Sequence, residues 1–438
     1  MMPTPLYDLL RSLADRDLLR LDMPGHHGRP LPYDLPWPSE LDCTENGLSG
    51  DLFGDGRDAI AQAEELWAAR FGFDSCLLLT GGSTQGVHAG LALLAGAGGH
   101  TALDRGSHRS AYNALALLGL TPHYLPRPRL EREGAAGPIH PDAVGRLLSD
   151  CPEIKTVCIT SPTYYGVLSD IPAIAAVCRA HGARLMVDAA HGAHLPFLGY
   201  EGYSTADAVV MSAHKTLPAP GQTALLFANG FSLDGLRRVG SLYGSSSPSY
   251  VMMAALDLAR DYMEREGAAK YRETAVAVAA LREKYPALGE ASGLALDPAR
   301  LTLLCGDGFA LADRLREKGC LPELADMGHV VFICTCADGP ERFARLDGLL
   351  AAEDFSNPAQ CPPPPALPPM ALPPRQALFA PREALPLEAV EGRIAAEQIA
   401  PYPPGVPVVA PGEVITKKTL AYLKQIGYNK ESVDVIRP

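Results

Sequence analysis

The sequence predicts an α/β fold, a mainly parallel β-sheet sandwiched by helices, with a smaller α+β C-terminal domain after it. Two observations carry this reading. Short apolar runs of strand length alternate with longer runs of helical periodicity over much of the first two thirds of the chain. Residues with chemical capability follow several of those short runs directly, at Gly82, Asp188 and Lys215, and parallel sheets place their ligands at the carboxyl ends of strands. The length, 438 residues, suits one large α/β domain and one smaller domain. The expected division is an N-terminal arm over 1–50, a large domain over 51–285 and a small domain over 286–438.

The arm carries Pro, Gly and charge without a long periodic run, so it reads as extended. A helix follows over Gly56–Phe71, with Ile60, Ala63, Leu66 and Trp67 at helical spacing. Cys76–Leu79 is a short buried strand that opens into Thr80-Gly81-Gly82-Ser83-Thr84-Gln85-Gly86 and then the apolar helix Val87–Leu94. A strand, a glycine-rich turn and a helix together present free backbone N–H groups and a positive helix end, which suit a phosphate. Gly82, Ser83 and Thr84 would contact it. The spacing lacks both the Gly-Lys-Ser/Thr of a nucleotide loop and the G-x-G-x-x-G of a dinucleotide site, so a single phosphate monoester fits best.

The next strand, His100–Asp104, leads into Arg105-Gly106-Ser107-His108, where the His108 imidazole could stack on a planar ligand. Thr156–Thr160 and Arg184–Asp188 are further strands. Asp188 ends a buried run, and a buried carboxylate needs a cationic partner or hydrogen-bond donors. A protonated pyridine nitrogen would serve, as would an arginine or a helix start. Ala208–Ser212 then delivers Ser212-Ala213-His214-Lys215-Thr216. A lysine held in a desolvated loop loses its proton readily and attacks aldehydes, which is how many pyridoxal-phosphate enzymes present their Schiff-base amine. Thr223–Phe227 is the last strand of the series, followed by helices over Val251–Glu266 and Lys270–Leu281. The proline-rich stretch near 357–374 reads as a stiff linker, with a partner-binding polyproline segment as the alternative.

In order, these motifs are Pro24-Gly25-His26, Gly82-Ser83-Thr84, Asp104-Arg105-x-x-His108, Ser161-Pro162-Thr163-Tyr164-Tyr165-Gly166, Asp188-x-Ala190-His191-Gly192-Ala193-His194 and Ser212-Ala213-His214-Lys215. They continue through Ser245–Tyr250, Gly392–Glu397 and Pro401–Pro407. The series resembles the bacterial ornithine/lysine/arginine decarboxylase family, in its compact arginine/lysine form. The resemblance implies the type I pyridoxal-phosphate (aspartate-aminotransferase) fold and pyridoxal 5'-phosphate bound to Lys215. It further implies that Asp188 pairs the ring nitrogen, His108 stacks on one ring face and Ala190 packs on the other. Ser83, Thr84, Ser212 and His214 would surround the phosphate, and His191 would meet the ring oxygen or the substrate. His214 would either return a proton to Cα or only orient the phosphate. Ser245 resembles the position that reaches the phosphate of a neighbouring subunit, which implies a homodimer or higher homo-oligomer with sites at the interface.

The formal net charge of −12 argues against nucleic acid and anionic membranes as partners and is compatible with a cationic substrate. No run is long and apolar enough for a membrane helix, and Met1–Asp8 lacks the order of a secretion signal. Ten cysteines without a C-x-x-C read as free thiols in a cytoplasmic protein rather than as disulfides or a zinc site, and no metal is expected. The expected reaction is decarboxylation of arginine or lysine, less readily ornithine, to an amine of polyamine metabolism. Glu397 and Glu413 are the carboxylates expected near the distal cation. Position 27 is His where the family usually has Lys, and position 189 is Ala where it usually has Glu. Transamination or β-elimination on the same fold, with Arg393 as a carboxylate-binding arginine, is the alternative chemistry. A catalytically silent binding homologue is the alternative class.

Overall fold

Strands that are apolar at nearly every position have to be covered on both faces, and those at the centre of this molecule are. The computed structural model describes all residues except 1–14, 28, 35–41, 46–48, 55–56, 290–292, 357–360, 402–404 and 438. Met1–Asp8, the Gly56 start expected for the first helix, the start of the proline-rich stretch and the Tyr402–Pro404 part of the last motif therefore lie outside the described residues. In chain order, the strands up to residue 228 are β1 (Leu19–Leu21), β2 (Ser75–Leu79), β3 (His100–Asp104), β4 (Thr121–Leu125), β5 (Ile154–Thr160), β6 (Arg184–Asp188), β7 (Ala208–Met211) and β8 (Ala224–Ala228). Seven of them form one sheet in the order β2-β8-β7-β6-β5-β3-β4. The neighbours from β4 to β7 pair in parallel, while β8 runs antiparallel to both β7 and β2.

The mainly parallel, helix-covered sheet is thus the one expected. β4 was not visible in the sequence, because Pro122 and His123 interrupt its apolar character. It lies at the sheet edge, the position where a proline costs no ladder bond. The first helix spans Ala59–Phe71 and starts where the Asp58 side chain accepts the Ala61 N–H. Ile60, Ala63 and Trp67 are buried as their spacing requires, but Leu66 is 49% exposed and falls outside that stripe. The two late helices run almost as one, Tyr250–Tyr262 and Ala268–Lys284, joined by the π-helical turn Met263–Gly267.

Residues beyond 286 pack around two separate hydrophobic clusters. In the first, β9 (Arg300–Leu304), β11 (Leu324–Ala325) and β12 (His329–Ile333) form an antiparallel sheet in the order β11-β12-β9. The N-terminal arm joins this unit, because β1 pairs in parallel with β10 (Cys320–Pro322) and buries Leu19 and Leu21 in its core. In the second, β13 (Arg382–Pro386) pairs with β14 (Ser432–Ile436) over Val390, Ile399, Val409, Leu423 and Val433. Cys361–Pro369 has no regular secondary structure. Among the described residues, no helix is long and apolar enough to cross a membrane.

Candidate active site

The carboxyl ends of neighbouring β6 and β7 bring Asp188 and Lys215 together. Ser212 immediately precedes the single-turn helix Ala213–Thr216, which carries Lys215. The Lys215 Nζ lies 3.2 Å from Nε2 of His191. On the other side of that ring, the Arg300 guanidinium lies 3.4 Å from Nδ1. A guanidinium can only donate, so Nδ1 accepts and the ring proton sits on Nε2, aimed at the lysine. In its neutral form, the reactive form of an amine, the lysine would accept that N–H. Burial is the main cause lowering the Lys215 pKa; Arg300 lowers it too, while Asp188 and Glu323 oppose. His191 is held well below its ordinary value by burial, then by the charges of Lys215 and Arg300. Tyr164 packs on the same imidazole, with ring centroids 4.5 Å apart.

Arg300 is itself buried, and its Nε and Nη1 have no hydrogen-bond partner among the described residues. Asp297 sits 3.7 Å from its Nη2 and is fixed by Nε2 of His194 at 2.8 Å and the Ala299 N–H at 2.9 Å. Burial alone would raise the Asp297 pKa, but His194 and Arg300 hold it down to about 2.

The buried Asp188 accepts the Ala190 N–H at 3.1 Å through Oδ1, and its other oxygen has no hydrogen bond among the described residues. Burial raises its pKa even though Lys215 and the Ala190 N–H act in the opposite sense. His108 caps helix Arg109–Leu118, with Nδ1 accepting from the Ser110 N–H at 3.2 Å. Burial, then the charges of Lys215 and Arg109, push its pKa down to about 4, so the ring is neutral near pH 7.

Gly82 opens helix Gly82–Ala95 with a φ of 73°, a conformation that disfavours any side chain. Ser83 is half-buried and Thr84 exposed on the first turn. A Cβ at Gly82 would lie 3.7 Å from the Gln222 carbonyl, and the Thr223 carbonyl next to it accepts from the His214 Nδ1–H at 3.0 Å. That bond leaves the His214 Nε2 lone pair free, while Ser212 Oγ lies 3.1 Å from Nδ1. Burial lowers the His214 pKa. Ser212 and His214 thus sit beside Lys215 in its loop, and the Gln222–Thr223 segment bridges Gly82 to His214. Ser245 does not join them: it is exposed, and its Oγ bonds within its own loop to Ser247.

Four contributors have no role at this site in the sequence reading, although Tyr164 and Gly25 stand in its motif series. Arg300 and Tyr164 are two, and Glu323 is the third. Its Oε2 accepts the Met23 N–H at 2.8 Å, and it acts electrostatically on Lys215. Burial raises the Glu323 pKa, opposed by that N–H and by Arg300 and Lys215. The N-terminal arm is the fourth: Gly25 donates to the His214 carbonyl at 2.7 Å, and a Cβ there would lie 2.9 Å from the Leu217 carbonyl. No local signal marks Arg300 or Glu323, because both arrive from the second unit. The structure also corrects three expectations. Glu413 is buried and occupied by Arg105, with oxygens 2.7 and 2.8 Å from its two terminal nitrogens. Glu397 pairs with Lys430 at 2.6 Å, and Arg393 with Glu383 at 2.6 Å. None of the three acts on Lys215; besides Asp188 the carboxylate that does is Glu323, and the arginine is Arg300.

Pyridoxal phosphate fits this donor set. A buried amine of lowered pKa, a buried residue's carboxylate with one oxygen not hydrogen-bonded among the described residues, a neutral imidazole and a glycine-led helix start supply what the group needs. The chain is 27% identical to an arginine decarboxylase of Bacillus subtilis, over 96% of this chain and 93% of that one. Its fold is similar to lysine decarboxylase A from Pseudomonas aeruginosa, with a TM-score of 0.77 at 18% identity over 99% of this chain and 82% of that chain. Lysine decarboxylase LdcF of Francisella novicida gives 0.75 at 21% identity over 89% and 73%. Residues 4–307 match the family described as Orn/Lys/Arg decarboxylase, major domain, and residues 365–432 match its C-terminal domain. With the lysine, aspartate and histidine of the motif series assembled at one end of a single sheet, this chain belongs to the Orn/Lys/Arg decarboxylase family.

Proposed function

We propose that this chain is a pyridoxal-phosphate-dependent carboxy-lyase that converts a basic amino acid, arginine or lysine ahead of ornithine, to the corresponding amine of polyamine metabolism. The observation that carries the reading is the Arg300–His191–Lys215 series, which holds a buried amine of lowered pKa beside a buried carboxylate. Pyridoxal phosphate, when bound, supplies the electron sink for the pair left at Cα as CO₂ departs.

The chain's own residues would do the rest. Lys215 carries the cofactor between turnovers. Asp188, with one oxygen unpartnered, keeps a proton on the ring nitrogen. Neutral His108 offers a flat face without competing charge, and Ala190 closes the other side. Gly82, Ser83, Thr84, Ser212 and His214 hold the phosphate, with Ser245 reaching the site of a neighbouring subunit in a homodimer. His214 either orients the phosphate or, once its Nε2 has taken up a proton, returns that proton to Cα. Glu323, rather than Glu397 or Glu413, meets the distal ammonium or guanidinium. The division into 1–50, 51–285 and 286–438 is retained as a proposal, with the arm serving the lysine loop through Gly25.

Arg300 supports a second reading. A buried guanidinium with two unpartnered nitrogens, Nε and Nη1, could grip the substrate α-carboxylate, as an aminotransferase requires. Products separate the two chemistries, since decarboxylation yields an amine and transamination a keto acid. The substrate reading is tested by kcat/KM for arginine, lysine, ornithine and norleucine with the wild type and Glu323→Gln. A cation buried against a carboxylate contributes roughly 2–4 kcal/mol, so norleucine should fall about 30-fold or more behind the preferred basic substrate. Glu323→Gln should remove most of that difference. Equal turnover of norleucine, or selectivity unchanged in Glu323→Gln, would remove the cation site assigned to this residue.

A further inference from the structure

At the other end of the sheet from Lys215, three side chains converge at the amino ends of adjacent parallel strands. His100 is the first residue of β3, His123 lies on edge strand β4, and Glu153 immediately precedes β5. Nδ1 of His100 lies 3.0 Å from Nε2 of His123. Oε1 of Glu153 lies 3.8 Å from the first nitrogen and 3.9 Å from the second. Those last two separations are too long for hydrogen bonds. They are nonetheless the right size for sharing an ion. The circle through three atoms so spaced has a radius of about 2.1 Å, the length of a zinc–imidazole or zinc–carboxylate bond.

We propose that His100, His123 and Glu153 form a binding site for a divalent transition metal, with zinc the best match. Two imidazoles and one carboxylate suit zinc, nickel or copper and disfavour magnesium or calcium, which prefer oxygen ligands. The three side chains are 39%, 20% and 45% exposed, so an ion enters from solvent, and a small side-chain shift that lets it rise out of the plane of the three atoms makes room for a water as fourth ligand. Each ligand belongs to a different strand or strand start, so the ion ties β4 to β3 and β5. The site is structural, remote from the Lys215 chemistry, and independent of the proposed reaction. The absence of a cysteine metal motif does not bear on it, because none of its ligands is a thiol.

The test is zinc titration of the holoenzyme against a chromophoric competitor, for wild type, His123→Ala and Glu153→Gln. Loaded cofactor keeps the Lys215 region from competing for the ion. Wild type should take up one zinc per chain at this site, with at least a tenfold loss of affinity in each variant. Zinc should raise the thermal midpoint of the wild type alone, and turnover should be the same in all three. An anomalous peak at the zinc edge between His100 and His123 in wild-type crystals would support the site without any variant. Equal zinc affinity in wild type and both variants, or an anomalous peak only elsewhere, would overturn it.

Discussion

Glu413→Gln separates a structural role for this carboxylate from the substrate role that its motif suggests. Glu413 is fully buried, and its oxygens take two bonds from Arg105, at 2.7 and 2.8 Å, and one from the Ala410 N–H at 2.7 Å. The Arg105 side chain is only 8% exposed. Amidation keeps the shape but removes the negative charge and puts an N–H₂ against a guanidinium that can only donate. Breaking one partner of such a buried pair leaves the other charge uncompensated, which costs about 3–5 kcal/mol. Arg105 also precedes His108 by one turn of loop, so the damage should reach the cofactor as weaker binding. Urea unfolding of the wild type and variant holoenzymes, followed by fluorescence, measures the first effect, and cofactor titration the second. A Glu413→Gln protein of wild-type stability that had lost its preference for basic substrates would refute the structural assignment and return Glu413 to the substrate.

Asp188→Ala should retain some cofactor but lose carbanion stabilisation, lowering kcat about a thousandfold or more, equivalent to roughly 4 kcal/mol. A near-normal rate would make Asp188 a structural residue only. Stability should also fall in acid: free imidazole takes up its proton near 6.5, whereas folded His108 does so only near about 4. Between those values the unfolded chain binds more protons, so stability declines as pH drops, by up to about 1.4 kcal/mol per pH unit for each such group. His191, also lowered, acts in the same direction. His108→Asn, which keeps a capping side chain, should give a shallower decline in urea midpoints from pH 6.5 to 4, and an unchanged slope would contradict the assignment.

Legibility in the sequence tracked how local each signal was. His100–Asp104 and Arg184–Asp188 were located to the residue because each is a short, largely apolar run bounded by turns. The lysine loop and the glycine-led helix start were visible because strand, turn and ligand group are contiguous. The edge strand β4 was hidden by Pro122 and His123, which only its edge position permits. Glu413 was misread because its partner, Arg105, is 308 positions away, and no local pattern reports such a pair. Arg300 and Glu323 were missed for the same reason: the second unit folds back over β6 and β7 and delivers them there. The arm reads as extended; among its described residues Leu19–Leu21 is a strand and 22–27 bends and turns, and its role in seating β1 and Gly25 depends on contacts that are wholly tertiary.

The central claim is that Lys215 and its surroundings remove the carboxyl group of a basic amino acid. Its most direct test follows carboxyl-labelled arginine and lysine through the purified holoenzyme, counting labelled CO₂ and amine together, with Lys215→Ala alongside. The account predicts equal amounts of both products from the wild type, none from Lys215→Ala, and a borohydride-fixed cofactor on the Lys215 peptide. Keto acid in place of amine, or cofactor fixed to a different lysine, would contradict it.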